Sequence, residues 1–161
     1  MAAQTQKDRT PRPAGMSWLI PALPVKDVQR AMDFLEKAFG FESAMAMPGP
    51  DGKLIHGAVK YKGEVIAMFG PEDACDNPKA SKSPASSKTD CPIMLYVYCD
   101  DVDALWARAK AAGATVISEP ADMFWGDRTA ELGDVDGYRW MFATNVVDFD
   151  ESKMPKNDLN L

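Results

Sequence analysis

Val25-Lys26-Asp27-Val28 and Cys99-Asp100-Asp101-Val102 stand 74 residues apart, and each leads into a helical pattern. Gly52, after Asp51, and Gly126 repeat the interval. So do Gly63, heading Gly63-Glu64-Val65-Ile66-Ala67-Met68-Phe69, and Gly137, heading Gly137-Tyr138-Arg139-Trp140-Met141-Phe142-Ala143. One interval recovered at three separated landmarks marks two copies of a single unit.

Working outward, each unit begins with an apolar run, Trp18 to Val25 or Ile93 to Cys99, that reads as a buried strand. An Asp then caps a helix. Asp27 leads Val28, Ala31, Met32, Leu35, Ala38 and Phe39; Asp101 leads Val102, Leu105, Trp106, Ala109 and Ala112. Gly40 and Gly113 suit the position just past each helix end. Three strands follow in each unit: 41–47, 54–61 and 64–69, then 115–118, 128–132 and 138–144. The pattern is βαβββ twice, an α+β chain. The modules 17–70 and 92–146 make one domain, 16–147. The polar loop 71–91, rich in Ser, Lys, Asp and Pro, joins them; 1–15 and 148–161 read as tails.

The 161 residues carry 18 basic and 24 acidic side chains, a net charge of −6. Hydrophobic residues at 46% and charged ones at 26% are a globular balance, which excludes general disorder. An acidic chain without clustered Lys and Arg is a poor match for nucleic acid. No apolar run approaches the ~20 residues of a membrane-spanning helix, and the N-terminus lacks a signal-peptide core, so a cytoplasmic protein is expected. Cys75, Cys91 and Cys99 have no metal-binding spacing; reduced thiols are expected, with a pairing of Cys75 and Cys91 left open. His56 is the single histidine, which excludes any site built from two His ligands of one chain.

A doubled βαβββ unit with V-x-D-V before the first helix resembles the vicinal oxygen chelate superfamily, also called the glyoxalase/bleomycin resistance protein/dioxygenase fold. Phe39-Gly40-Phe41-Glu42, Leu95-Tyr96-Val97-Tyr98-Cys99-Asp100-Asp101-Val102-Asp103, Phe124-Trp125-Gly126-Asp127-Arg128 and Asp136-Gly137-Tyr138-Arg139-Trp140 look like its PhnB-like branch. The resemblance covers about residues 17–146. It implies two tandem modules forming a cupped mixed sheet around one cavity, and a homodimer in many relatives.

Metal-dependent members take ligands from four strand positions. Carried over, these fall on Ile20, Ala67, Met94 and Met141, none of which offers an oxygen or nitrogen donor. No metal and no other cofactor is therefore expected. Strand alternation from those positions places Trp18, Ala22, Val65, Phe69, Tyr96, Tyr98, Arg139 and Ala143 on the cavity face. Trp18, Phe69, Tyr96, Tyr98, Trp125, Arg128 and Arg139 become the candidate ligand-binding residues. An inward Arg139 requires an anionic partner, and a protein carboxylate in that role would remove the inference of an anionic ligand. Trp125 can serve a ligand or merely cover the rim while Asp127 and Arg128 pair.

The leading expectation is a metal-free protein that binds a small aromatic or amphipathic molecule, as antibiotic-sequestering relatives do. One alternative is a lyase, isomerase or glyoxalase-like enzyme using His56 as acid or base, or a displaced metal. Another is an accessory module whose cup is filled by its own side chains. Whether any reaction is catalysed stays open, and fold alone does not decide it.

Overall fold

The computed structural model describes residues 10–72 and 82–153. Cys75 and any bond it forms lie outside the described residues; Cys91 and Cys99 are buried thiols.

The first unit runs β1 (Ala22–Val25), α1 (Val28–Phe39), β2 (Glu42–Pro48), β3 (Leu54–Tyr61) and β4 (Glu64–Pro71). A short helix α2 (Pro84–Ser87) intervenes. The second unit then repeats the order with β5 (Met94–Tyr98), α3 (Val102–Ala112), β6 (Thr115–Asp122), β7 (Asp127–Gly133) and β8 (Arg139–Asn145). The strands form two four-stranded sheets, β1-β4-β3-β2 and β5-β8-β7-β6. In each, the first strand pairs parallel with the last and the hairpins are antiparallel.

The helices start and stop where their chemistry dictates. Asp27 accepts the backbone N–H of Arg30 and Asp101 that of Ala104, each satisfying a donor the helix cannot. Gly40 and Gly113 close the helices in the left-handed conformation. Val28, Ala31, Met32, Leu35, Ala38 and Phe39 are all buried, as the spacing predicts.

One core joins the units. Phe39 lies 4.7 Å from Phe142 and Phe41 5.5 Å from Trp140, ring centre to ring centre, so the end of α1 meets the last strand of the other unit. The Nε of Arg108 donates to the Ala38 carbonyl, which α1 leaves unpaired. The Tyr138 hydroxyl donates to Pro24 O, and the Lys26 N–H to the buried Asp136.

Three expectations change. The first strand begins at Ala22, because Trp18 to Pro21 lie beyond the ladder and Trp18 is 79% exposed. Pro24 is tolerated because β1 is an edge strand. The 71–91 segment is not all loop: Ser83 caps α2, its side chain is buried against Glu72, and Ala85 N–H donates to Asp136 O.

The third change concerns the repeat itself. Ala22 pairs with Met68 and Tyr96 with Met141, so the last strands correspond at an interval of 73, one less than at the glycines. The residue lost is in the turn, where Gly52-Lys53-Leu54 becomes Gly126-Asp127. The mate of Met141 is therefore Met68, and Ala67 is a core residue at 0% exposure.

Candidate functional site

Each sheet turns one face to its helix. In the first, a side chain at Gly57 would strike Val28 and Met32 of α1, and Gly57 pairs with Phe69. Paired residues share a face, so Phe69, partner of Gly57, and Ala67, partner of Val59, point to the helix side, and both are buried. The expectation that Phe69 faces the cup does not hold; the one-residue shift moves it to the other side. The far face carries Met45, Met47, His56, Ala58 and Met68, with Met47 opposite His56 and Met45 opposite Ala58.

In the second sheet, Thr144 accepts the N–H of Val102 at the start of α3, and its partner Arg128 binds Asp103 of the same helix. Arg128 thus belongs to the helix side. It donates to Asp103 and Asp122, and these carboxylates push its pKa further up. It does not pair with Asp127, its neighbour in sequence, because alternation puts the two on opposite faces.

The far face of this sheet has two layers. Its floor is Asp127, Thr129, Glu131 and Ala143, all buried. Above them lie Met94, Tyr96, Tyr98 and Arg139, joined at the rim by Trp125; Tyr98 remains 58% exposed. Asp127 organises this layer. Its Oδ2 accepts the Tyr96 hydroxyl at 2.9 Å, the Tyr98 hydroxyl at 2.9 Å and Trp125 Nε1 at 3.1 Å. Its Oδ1 accepts Asn145 Nδ2 at 3.1 Å. Burial pushes the Asp127 carboxyl up, but hydrogen bonds from Asn145, Tyr96, Tyr98 and Trp125 outweigh it and hold it below the usual carboxylate range. Burial and the Asp127 hydrogen bond push the Tyr96 phenol up to about 12. The phenols are thus held protonated, as donors to Asp127. The Tyr96 and Tyr98 rings meet edge to face at 5.4 Å.

Gly126 makes the turn before Asp127 possible. Its φ is +100°, and a Cβ there would sit 2.2 Å from the Val147 carbonyl oxygen. Val146 and Val147 in turn donate to Gly126 O, strapping the following segment over the turn.

Arg139 has a protein partner. Its Nε donates to the buried Glu131, whose carboxylate raises the Arg139 pKa. The condition that would have called for an anionic ligand is met within the sheet. Asp127 and Glu131 were not among the candidate residues. Their place on alternate positions of a strand that Arg139 and the two tyrosines flank was the available signal.

A groove of about 440 Å³ runs beside this face, between the edge strand β5 and the segment 17–21 that leads into β1. Leu19, Pro21 and Ile66 line one side and Ile93, Met94, Tyr96 and Tyr98 the other, so both units contribute. Trp18 lies apart, under the Arg12 guanidinium. His56 is half-buried on the other sheet. Ile20, Met68, Met94 and Met141 at the family's ligand positions offer no hard donor, so the residues present do not fit a divalent ion there. Among the described residues no three His, Cys, Asp or Glu side chains cluster to hold a metal.

The model of the Glyoxalase/Bleomycin resistance protein/Dioxygenase superfamily matches residues 18–142. An uncharacterized protein of Mycobacterium bovis is 36% identical over 135 residues, covering 83% of this chain and 88% of its own. TioX from Micromonospora sp. ML1 has a solved structure similar at TM-score 0.64 and 25% identity, over 81% of this chain and 99% of TioX. TnmS3, an antibiotic binding protein from Streptomyces sp. CB03234, shares the fold at TM-score 0.56 and 24% identity, over 83% of this chain and 96% of its own.

Proposed function

We propose that this chain, which belongs to the Glyoxalase/Bleomycin resistance protein/Dioxygenase superfamily, binds a small aromatic or amphipathic molecule without metal chemistry. The observation that carries the proposal is the exposed aromatic layer of the second sheet, fixed from beneath by the buried Asp127. A core packs its aromatics away from water; here Tyr98 and Trp125 are hydrogen-bonded in place at the surface, and Tyr98 lines an apolar groove. Rigid side chains lose little entropy when a ligand arrives, which favours binding. The superfamily fold, shared with TnmS3, is one that accommodates such binding.

A second copy of the chain covers the remaining apolar surface. Leu19, Ile93 and Tyr98 are each more than half exposed, and all three line the groove. Contiguous apolar exposure of this kind marks an association surface. The homodimer completes a cup that one chain leaves open. Arg139, Arg128 and Phe69 leave the ligand-binding set; Tyr96, Tyr98 and Trp125 stay in it, and Met94, Met141 and Asn145 join.

Native mass spectrometry of gently purified protein tests the proposal. A dimer carrying a stoichiometric organic mass and no metal is expected, with the mass lost in Trp125→Ala. Stoichiometric divalent metal on the wild type would overturn it.

A further inference from the structure

We propose that the ligand carries a positive charge: the site selects an aromatic or amphipathic organic cation. This rests on the binding function proposed above and specifies its ligand class.

The argument is a charge inventory of one face. On strands β5, β7 and β8 its ionisable groups are Asp127, Glu131 and Arg139, with the phenols of Tyr96 and Tyr98. Arg139 and Glu131 neutralise each other. Asp127 has four donors and no cation: two phenols, one indole and one carboxamide. The face is left with one net negative charge whose partners are all neutral. The opposing wall of the groove, Ser17, Leu19, Pro21 and Ile66, brings no charge at all. Arg128, the nearest guanidinium in sequence, is on the other side of the sheet and bound to Asp103 and Asp122.

The carboxylate is 2% exposed, so a ligand does not touch it. It meets instead what Asp127 has polarised. Each phenol spends its proton on the carboxylate and presents only lone pairs outward. The rings of Tyr98 and Trp125 present negative π faces, which attract a cation within about 6 Å. Thr129, on the same strand face between Asp127 and Glu131, has a buried hydroxyl oxygen with no partner among the described residues, so this floor carries a further polar atom that the protein leaves unbound. A carboxylate held in a low-dielectric floor projects its field further than one in water. An anion meets repulsion at every one of these groups, and a neutral molecule gains apolar burial alone.

The test uses three probes of one shape, read by tryptophan quenching and by calorimetry: N-methylacridinium, acridine and acridine-9-carboxylate at pH 7.5. N-methylacridinium is expected to bind about tenfold or more tighter than acridine, and acridine-9-carboxylate weakest, with the cation's advantage shrinking as salt rises. Asp127→Asn is expected to bring cation and neutral probe to within about twofold of each other. Because that variant disturbs four hydrogen bonds, the wild-type ranking is decisive by itself. Equal binding of the three probes, or preference for the anion, overturns the cation inference and leaves the binding function standing. Binding of none of them up to the solubility limit overturns both.

Discussion

The far faces of the two sheets occupy equivalent places in a repeated unit, yet they have diverged in opposite directions. At the structural interval of 73, Leu54 corresponds to Asp127, His56 to Thr129, Ala58 to Glu131, Ile66 to Arg139 and Met68 to Met141. One face is aliphatic and methionine-rich around a lone histidine. The other is a buried carboxylate floor under phenols and an indole. The helix sides did not diverge in this way: Phe69 and Phe142, Ala67 and Trp140, Val59 and Leu132 all remain apolar and buried. Packing constrains the helix side of both copies, so freedom to specialise lies on the far side, where the second copy carries a polar site and the first an adaptable apolar wall.

The sharpest way to break this contrast is to remove the floor. Asp127→Ala leaves two phenols and an indole N–H without their acceptor, and is expected to cost about 2–4 kcal/mol in urea unfolding. Leu54→Ala, at the equivalent place, is expected to cost only about 1–2 kcal/mol, since Leu54 is already partly exposed. Equal losses would mean that Asp127 is an ordinary surface carboxylate and the two faces differ less than their side chains imply.

The hairpins that end these faces differ as well. The β3–β4 turn is Tyr61-Lys62-Gly63-Glu64, with Lys62 bound to Asp100 at the surface. The β7–β8 turn holds Asp134, which accepts Trp140 Nε1 and the N–H groups of Asp136 and Tyr138. Burial outweighs those hydrogen bonds and raises the Asp134 carboxyl to about 6. A raised pKa means the folded state holds the proton more tightly than the unfolded state does. Stability from this group is therefore present at low pH and lost as pH rises through about 6. Between pH 7.5 and 5 the fold is expected to gain on the order of 1–2 kcal/mol, discounted because Asp134 is partly open to water. Asp134→Asn should flatten the gain, and Lys62→Ala should leave it. Asp127, with its lowered pKa, works in the opposite sense and only below the ordinary carboxylate range. A flat profile in the wild type would remove this part of the contrast.

How much of this was legible beforehand follows from what each signal encodes. Helix boundaries were, because Asp27, Asp101, Gly40 and Gly113 mark ends by local chemistry, and the spacing of Val28 through Phe39 marks a buried stripe. Strand facing was legible in the second unit, where Tyr96, Tyr98 and Arg139 take the face expected of them. It failed in the first, because glycines fix turns and not registers: one residue fewer after Gly126 shifts the paired strand positions by one and reverses the face of Phe69, while Gly63 and Gly137 stay 74 apart. Asp127 escaped notice because its neighbour Arg128 looked like its partner. The true partners come from β5 and the rim, and only the strand order brings them together. The Arg139–Glu131 pair likewise depends on how β7 is registered against β8. Helix α2 is too short for periodicity to reveal; its stability lies in Ser83, Glu72 and the β7–β8 turn.

A smaller effect refines the polar face. Tyr98→Phe removes one of four donors and is expected to cost about 0.5–1 kcal/mol. Asp127 should also titrate at higher pH in this variant, because one of the hydrogen bonds that lowers its pKa is gone. Carboxyl chemical shifts followed against pH read this directly. Loss of the hydroxyl with no movement of the Asp127 titration would show that the phenol hydrogen bond does not tune the carboxylate.

The smallest expected effect falls on the apolar face and decides between binding and catalysis. His56 lies opposite Met47 on a strand whose far face carries no carboxylate to orient an imidazole: Ala58 and Met68 are its neighbours there. A general base needs a partner that fixes its tautomer and a reacting proton within reach, and none of the described side-chain hydrogen bonds involves the His56 imidazole. His56→Ala is accordingly expected to change stability by less than about 1 kcal/mol and probe affinity by less than about twofold. If a substrate of the purified protein is turned over and His56→Ala abolishes turnover while leaving affinity intact, the methionine-rich face is the catalytic one. The polar face would then serve to position the substrate, and the contrast between the two copies would be one of chemistry against recognition.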